Sequence, residues 1–187
     1  ERVINIADEL SRYPQESRAE IAVFAEGEAM LRTRKSENLA SICLGNIRRT
    51  LAECGAPYDL YSISDISLEA IDKYKFFIFI NQYDISKEIK EQINQKCKKN
   101  GNTVLWLYAP DYANGGKCGV DNIYSITDLK VDESATSHGE LIYNNKAYNY
   151  PLSAPYFEVT DADSIPLAHF KDGSVAAAKK VMPNYFS

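Results

Sequence analysis

Nothing in this 187-residue sequence approaches the roughly 18–20 consecutive apolar residues that a membrane-spanning helix needs, so no membrane partner is expected. No signal-peptide pattern opens the chain either. It begins on Glu1 rather than Met, and the expectation is a mature form or an excised fragment. Positive charge is in short supply: a net charge of −5 leaves no basic excess to neutralise phosphates, which excludes nucleic acid as the main partner. Metal ligands are scarce too. Two histidines and four scattered cysteines (Cys43, Cys54, Cys97, Cys118) make no C-x-x-C pair and no zinc spacing. Glycine is missing where a phosphate loop would need it. The turn after the first apolar run reads AEGEAMLRTRK, with one glycine and with Glu26 and Glu28 in place of G-x-G-x-x-G, so no nucleotide or flavin cofactor is expected.

What is present is an ordinary globular composition. At 45% hydrophobic and 25% charged residues the chain can bury a core, and its length suits one domain with at most a small appendage. Residues 1–18 carry a short helical pattern through Ile4, Ala7 and Leu10 that Pro14 stops, a lead-in segment expected to pack against something else. AEIAVFAE then reads as a buried strand. From Ser36 to Cys54, Leu39, Cys43, Ile47, Leu51 and Cys54 fall on one helical stripe, which places three of the four cysteines in helices facing a core; Gly55 ends that helix.

PYDLYSIS is a second strand, SLEAIDKY a short helical turn, and KFFIFINQ a central strand. Ser86 caps a helix whose Ile85, Ile89, Ile93 and Cys97 share a face, and TVLWLY comes after it as the next strand. The order β-α-β-(α)-β-α-β is that of a parallel sheet with right-handed crossovers. After Tyr112 the pattern changes. VDNIYSITDL reads as a short helix, and GELIYNNKAYNY, APYFEVT and IPLAHFKDGSVAAAKK are β-rich, with a hairpin turn at Lys171 to Ser174. The final VMPNYFS neither caps nor finishes an element. The expected division is therefore 1–18 lead-in, 19–180 α/β domain with a β-rich C-terminal part, and 181–187 a truncated tail.

Catalytic chemistry finds no home in this order. A receiver domain needs an aspartate at the end of the third strand, where this chain has Asn81. Cys43 in SICLG is tempting as a nucleophile but lies on the core stripe. Glu26, Glu28 and Asp111 read as solvated loop acids rather than a glycosidase pair of set spacing. Trp106 and His169 read as structural.

IAVFAEGEAM, GAPYDLYSISD, YKFFIFINQYDIS and GNTVLWLYAPDY, with YFEVTDADSIPLAHFKDGSVAAAKK behind them, resemble in their order and spacing one known family segment across about residues 19–180. It is the amidotransferase-like middle domain that comes after the catalytic barrel in bacterial glycoside hydrolases related to family 42 β-galactosidases. The resemblance implies a three-layer flavodoxin-like fold, akin to class I glutamine amidotransferases, without an active site of its own. That family's nucleophile segment superposes by pattern on TVLWLYAP, with Tyr108 where the cysteine would stand. A phenol is no substitute for a thiolate. No catalytic residue is carried over.

By the same resemblance the chain is expected to be an accessory domain of a β-galactosidase-like enzyme, inactive alone. Its partners would be the barrel of its parent chain and further copies in a homo-oligomer. Read from the residues alone, a rival is a small-molecule or carbohydrate-binding module. Its site would be the crevice at the carboxyl ends of the strands, formed by Glu26, Glu28, Asn81, Gln82, Tyr108, Asp111 and Tyr112.

Overall fold

The computed structural model describes residues 2–13, 16–32, 41–135, 137–149 and 154–187. In chain order the elements are α1 (Arg2–Leu10), β1 (Ile21–Ala25), α2 (Ile47–Glu53), β2 (Tyr58–Ser62), β3 (Phe76–Phe79), α3 (Lys87–Lys96), β4 (Asn102–Trp106) and α4 (Val120–Thr127). Then come β5 (Val131–Ser134), β6 (Glu140–Tyr143), β7 (Lys146–Asn149), β8 (Tyr156–Val159), β9 (Ile165–Phe170), β10 (Val175–Lys179) and β11 (Tyr185–Phe186). Strands β1 to β4 and β11 form one parallel sheet in the order β11-β4-β3-β1-β2. A four-stranded antiparallel sheet, β10-β9-β6-β7, and a β5-β8 pair make up the β-rich part. The chain is thus a mixed α/β fold, as the alternation of patterns predicts, with KFFIFINQ supplying the middle strand β3.

The parallel sheet is held in register by aromatics. Tyr61, Phe24, Phe79 and Trp106 stand opposite one another on β2, β1, β3 and β4. Their rings stack side by side at 5.8, 5.1 and 4.4 Å between centroids. Side chains alternate along a strand, so all four lie on one face, which is covered by Ile93 of α3, by Ile85 just before and Cys97 just after that helix, and by Ile126 of α4. Ser86 Oγ accepts the Ile89 N–H at 3.3 Å, the expected cap. Burial pushes the Cys97 thiol up to about 12, so this cysteine packs as a small apolar group. The opposite face carries Val23, Ile78 and Ile80, against which Cys43, Ile47 and Leu51 pack.

Three expectations need correction. The first long helix is not continuous: Ser41–Asn46 forms a π-helical turn before α2, while 36–40 lie outside the described residues. Cys54, assigned to its core stripe, is exposed: it caps the end of α2, just past Leu51, the last residue of the stripe that packs on the sheet; of the four cysteines Cys43 and Cys97 are the buried ones. VMPNYFS does finish an element, since Tyr185 and Phe186 pair with Asn102 and Thr103 as the fifth parallel strand.

A charge network ties that last strand down. Lys180 Nζ reaches Asp161 Oδ2 at 2.8 Å and the Asp128 carbonyl at 3.0 Å, Lys98 pairs with Asp128 at 2.8 Å, and the Tyr185 hydroxyl donates to the same Asp128 carboxylate. Burial alone would raise the Asp161 carboxyl, but Lys180 and the N–H groups of Lys130 and Asp163 outweigh it and hold it below the usual carboxylate range. Its contribution is complete above the unfolded pKa of about 3.9 and is lost as pH falls through the lower folded value. Asp161→Asn should therefore lower the urea midpoint at pH 7 while making it less sensitive to acidification below about pH 4. Phe79→Ala, which breaks the aromatic row at its centre, should cost about 3–5 kcal/mol in the same titration.

Candidate functional site

The parallel strands all end on one side, and there the sequence places its polar residues. Asn81, just past β3, clasps the end of β1: its Oδ1 accepts the Glu26 N–H at 2.8 Å and its Nδ2 donates to the Glu26 carbonyl at 2.7 Å. Gln82 Nε2 donates to the Phe24 carbonyl at 3.3 Å. Both side chains are buried, 1% and 2% exposed. Asn81 thus does for the end of β1 what the ladder no longer can once the strands diverge, while Gln82 adds a second bond to a Phe24 carbonyl that already accepts the Ile80 N–H at 3.1 Å.

Past β4 the chain makes a strained turn. Tyr108 has φ +64° and Asp111 φ +62°, left-handed values that a Cβ disfavours, so tertiary contacts must hold them. The Asp111 carboxylate is 0% exposed. Its Oδ1 accepts the Ile85 N–H at 2.9 Å and Asn114 Nδ2 at 2.8 Å, and Lys90 pairs with its Oδ2. One buried acid thus binds the end of β4, the approach to α3 and the 111–116 loop. Tyr108 and Tyr112 project the other way. The Tyr108 hydroxyl donates to the Pro155 carbonyl at 2.7 Å and that of Tyr112 to Glu133 Oε2 at 2.7 Å. Phe157 lies edge-on to both rings, at 5.6 and 5.1 Å. The two phenols fasten the β5-β8 pair onto the parallel sheet, and burial, together with the Glu133 bond, pushes Tyr112 up to about 12.

The structure therefore brings together Glu26, Asn81 and Gln82, and joins them to the turn that carries Tyr108, Asp111 and Tyr112, where the Asp111 N–H donates to the Gln82 carbonyl at 2.6 Å. Glu26 and Glu28 sit at the lip, where Glu26 Oε1 accepts the Glu28 N–H at 3.0 Å. Asp111 does not join them as a carboxylate cluster, since both its oxygens are engaged inward. Among the described residues no group of three or more metal-ligating side chains occurs. Cys43 is 2% exposed with Tyr83 Oη 3.5 Å from its sulfur. Burial pushes its thiol up, the opposite of what a nucleophile needs.

Sequence reasoning passed over His138. It is 4% exposed, stacks on Phe170 at 3.8 Å, and sits between Asp172 Oδ2 at 3.1 Å and Glu158 Oε1 at 3.2 Å. It joins the 137–139 loop to β8 and to the β9-β10 hairpin. A lone histidine in a polar stretch carries no signal of this, because both carboxylates arrive from later in the chain. His169 instead points to solvent from β9.

No protein-family model matches the chain, and no curated protein matches it. Solved structures do. A catalytic mutant of a GH42 β-galactosidase from G. stearothermophilus matches with a TM-score of 0.69 and 12% identity, over 100% of this chain and 30% of its own. The β-galactosidase of Bacillus circulans sp. alkalophilus gives 0.67 and 14%, over 91% and 28%. An exo-β-1,4-mannosidase from an Opitutaceae bacterium gives 0.65 and 12%, over 98% and 33%. Its structural neighbours are glycosidases. The likeness is one of fold, and this chain spans a third or less of the length of each of these three.

Asp111→Ala should destabilise the domain by about 3–5 kcal/mol, because it strands Lys90 and frees two buried donors at once. Tyr108→Phe, which loses the hydroxyl's bond to Pro155, should cost about 0.5–1.5 kcal/mol. Urea denaturation of the two variants side by side checks the ranking.

Proposed function

We propose that this chain is a non-catalytic accessory domain of a longer glycoside hydrolase of the β-galactosidase kind, with an amidotransferase-like, flavodoxin-like fold, serving assembly and walling the sugar site of a neighbouring catalytic barrel. The observation that carries this reading is the coverage: 91–100% of this chain matches only 28–33% of each glycosidase. The strand order β11-β4-β3-β1-β2 supports the flavodoxin-like part of it. The non-catalytic part rests on the end of β4. Tyr108 occupies a left-handed elbow of the kind that presents a nucleophile in hydrolases, but it offers a phenol already donated to Pro155.

A carbohydrate-binding crevice at the strand ends draws less support. Asn81, Gln82, Asp111, Tyr108 and Tyr112 already make bonds within the fold, which leaves Glu26 and Glu28 at the lip as the groups open to a ligand.

The test has two arms. The 187-residue chain alone should release no p-nitrophenol from β-galactoside or β-mannoside substrates. In the longer protein, removing residues 19–180 should lower both the rate of hydrolysis and the mass of the assembly. Turnover by the isolated chain, or full activity and unchanged mass after the deletion, would overturn the proposal.

A further inference from the structure

Of the two histidines, His138 is the buried one: 1% of its side chain is exposed, against 27% for Glu158 and 55% for Asp172. Three separate stretches of chain meet on its ring. Phe170 of β9 stacks on one face, Asp172 in the β9-β10 turn stands at Nδ1, and Glu158 of β8 stands at Nε2. The two acids lie at opposite nitrogens, so they do not converge on one point as metal ligands would.

The two nitrogens are served unequally. Asp172 Oδ2 lies 3.1 Å from Nδ1 in hydrogen-bonding geometry, while Ser174 donates its hydroxyl and its N–H to Oδ1 at 2.6 and 3.0 Å. Those Ser174 bonds, with His138 behind them, hold the Asp172 carboxyl below the usual carboxylate range, so it accepts and Nδ1 carries the proton. A neutral ring has one N–H, which leaves Nε2 as a bare lone pair. That atom is buried and makes no hydrogen bond, yet Glu158 Oε1 is 3.2 Å away. With the ring neutral, two acceptors face each other across this gap.

The surroundings add to the negative charge. Asp132 of β5 is paired directly opposite Glu158, a position where like charges repel. Tyr156 of β8 turns an edge toward the ring at 6.4 Å. Lys171 of the hairpin turn is engaged with Glu140 of β6 at 2.7 Å. Among the described residues no lysine or arginine forms an ion pair with Asp132, Glu158 or Asp172. The cation that can answer three carboxylates here is His138 itself, on taking up a second proton. Burial makes that charge costly, and the carboxylates offset the cost.

We infer that His138 is a proton-operated clamp: protonation of Nε2 turns its contact with Glu158 into a charge-assisted hydrogen bond and locks the β9-β10 hairpin onto the β5-β8 pair. An imidazole changes charge between about pH 5 and 8, so the junction tightens in mild acid and loosens above neutrality. Without the second proton the hairpin keeps the Asp172 bond and the stack on Phe170, and the chain stays folded. The device is internal to this chain and needs neither a barrel nor a second copy.

Nitrogen NMR of the two histidines in the 187-residue chain reads these protons directly, with exposed His169 as the solvent reference. At about pH 8 His138 should be neutral with its proton on Nδ1, and at about pH 5.5 it should carry protons on both nitrogens. The amides of Tyr156–Val159 and of 171–175 should be roughly tenfold better protected from hydrogen exchange at the lower pH, after correction for intrinsic rates. Glu158→Gln should stay folded by circular dichroism and lose this pH dependence, because an amide can donate to the neutral ring and accept from the charged one. A proton on Nε2 alone at about pH 8, a ring still neutral at about pH 5.5, or equal wild-type protection at the two would overturn the clamp. So would a Glu158→Gln chain that keeps the full pH dependence.

Discussion

The stacked row of Tyr61, Phe24, Phe79 and Trp106 is the constraint on which the rest of the molecule depends. One ring on each of four neighbouring strands leaves a single register. A slip of one residue on any strand would send its ring to the opposite face and open a hole of aromatic size under α3. With the register set, the strand ends are set too, and so is the spacing between Glu26, Asn81 and the turn that begins at Tyr108. The apolar core on this face and the polar junction at its end are two consequences of one alignment.

At that junction the polar residues act as fasteners. Asn81 and Gln82 satisfy backbone groups of β1, and Asp111 holds the start of the α3 segment and its own loop. Tyr108 and Tyr112 reach across to the β5-β8 pair. Two left-handed residues without glycine's freedom are tolerated because each is held on several sides. A crevice that serves ligands in other α/β folds is used here to join a parallel sheet to an antiparallel one.

Several of these features were legible from the residues alone. KFFIFINQ announced the central strand through an apolar run too long to have a solvated side, and Ser86 announced α3 through its cap. Asn144 and Asn145, both left-handed, make the β6-β7 hairpin that GELIYNNKAYNY suggested. The strand-end residues were found by position, from the rule that such ends gather polar groups. Their duties were not, because nothing local distinguishes an asparagine that clasps a neighbouring strand from one that meets a ligand. Cys54 was misplaced for a related reason: a helical stripe tells which side a residue faces, not whether the sheet reaches as far as the end of the helix. β11 was missed because two residues carry no periodicity.

By itself the sequence determined the alternation of strands and helices, the apolar faces and the caps, since each depends on spacing and residue type over a few neighbours. Only the tertiary structure decided the strand order, the burial of Asp111 against Lys90, the bracketing of His138 and the joining of the two sheets through Tyr108 and Tyr112. Those depend on groups 20 or more residues apart meeting within hydrogen-bond distance, with separations of 21 from Lys90 to Asp111 and 47 from Tyr108 to Pro155. Such meetings are fixed by how whole layers pack, and no local pattern in the chain encodes them.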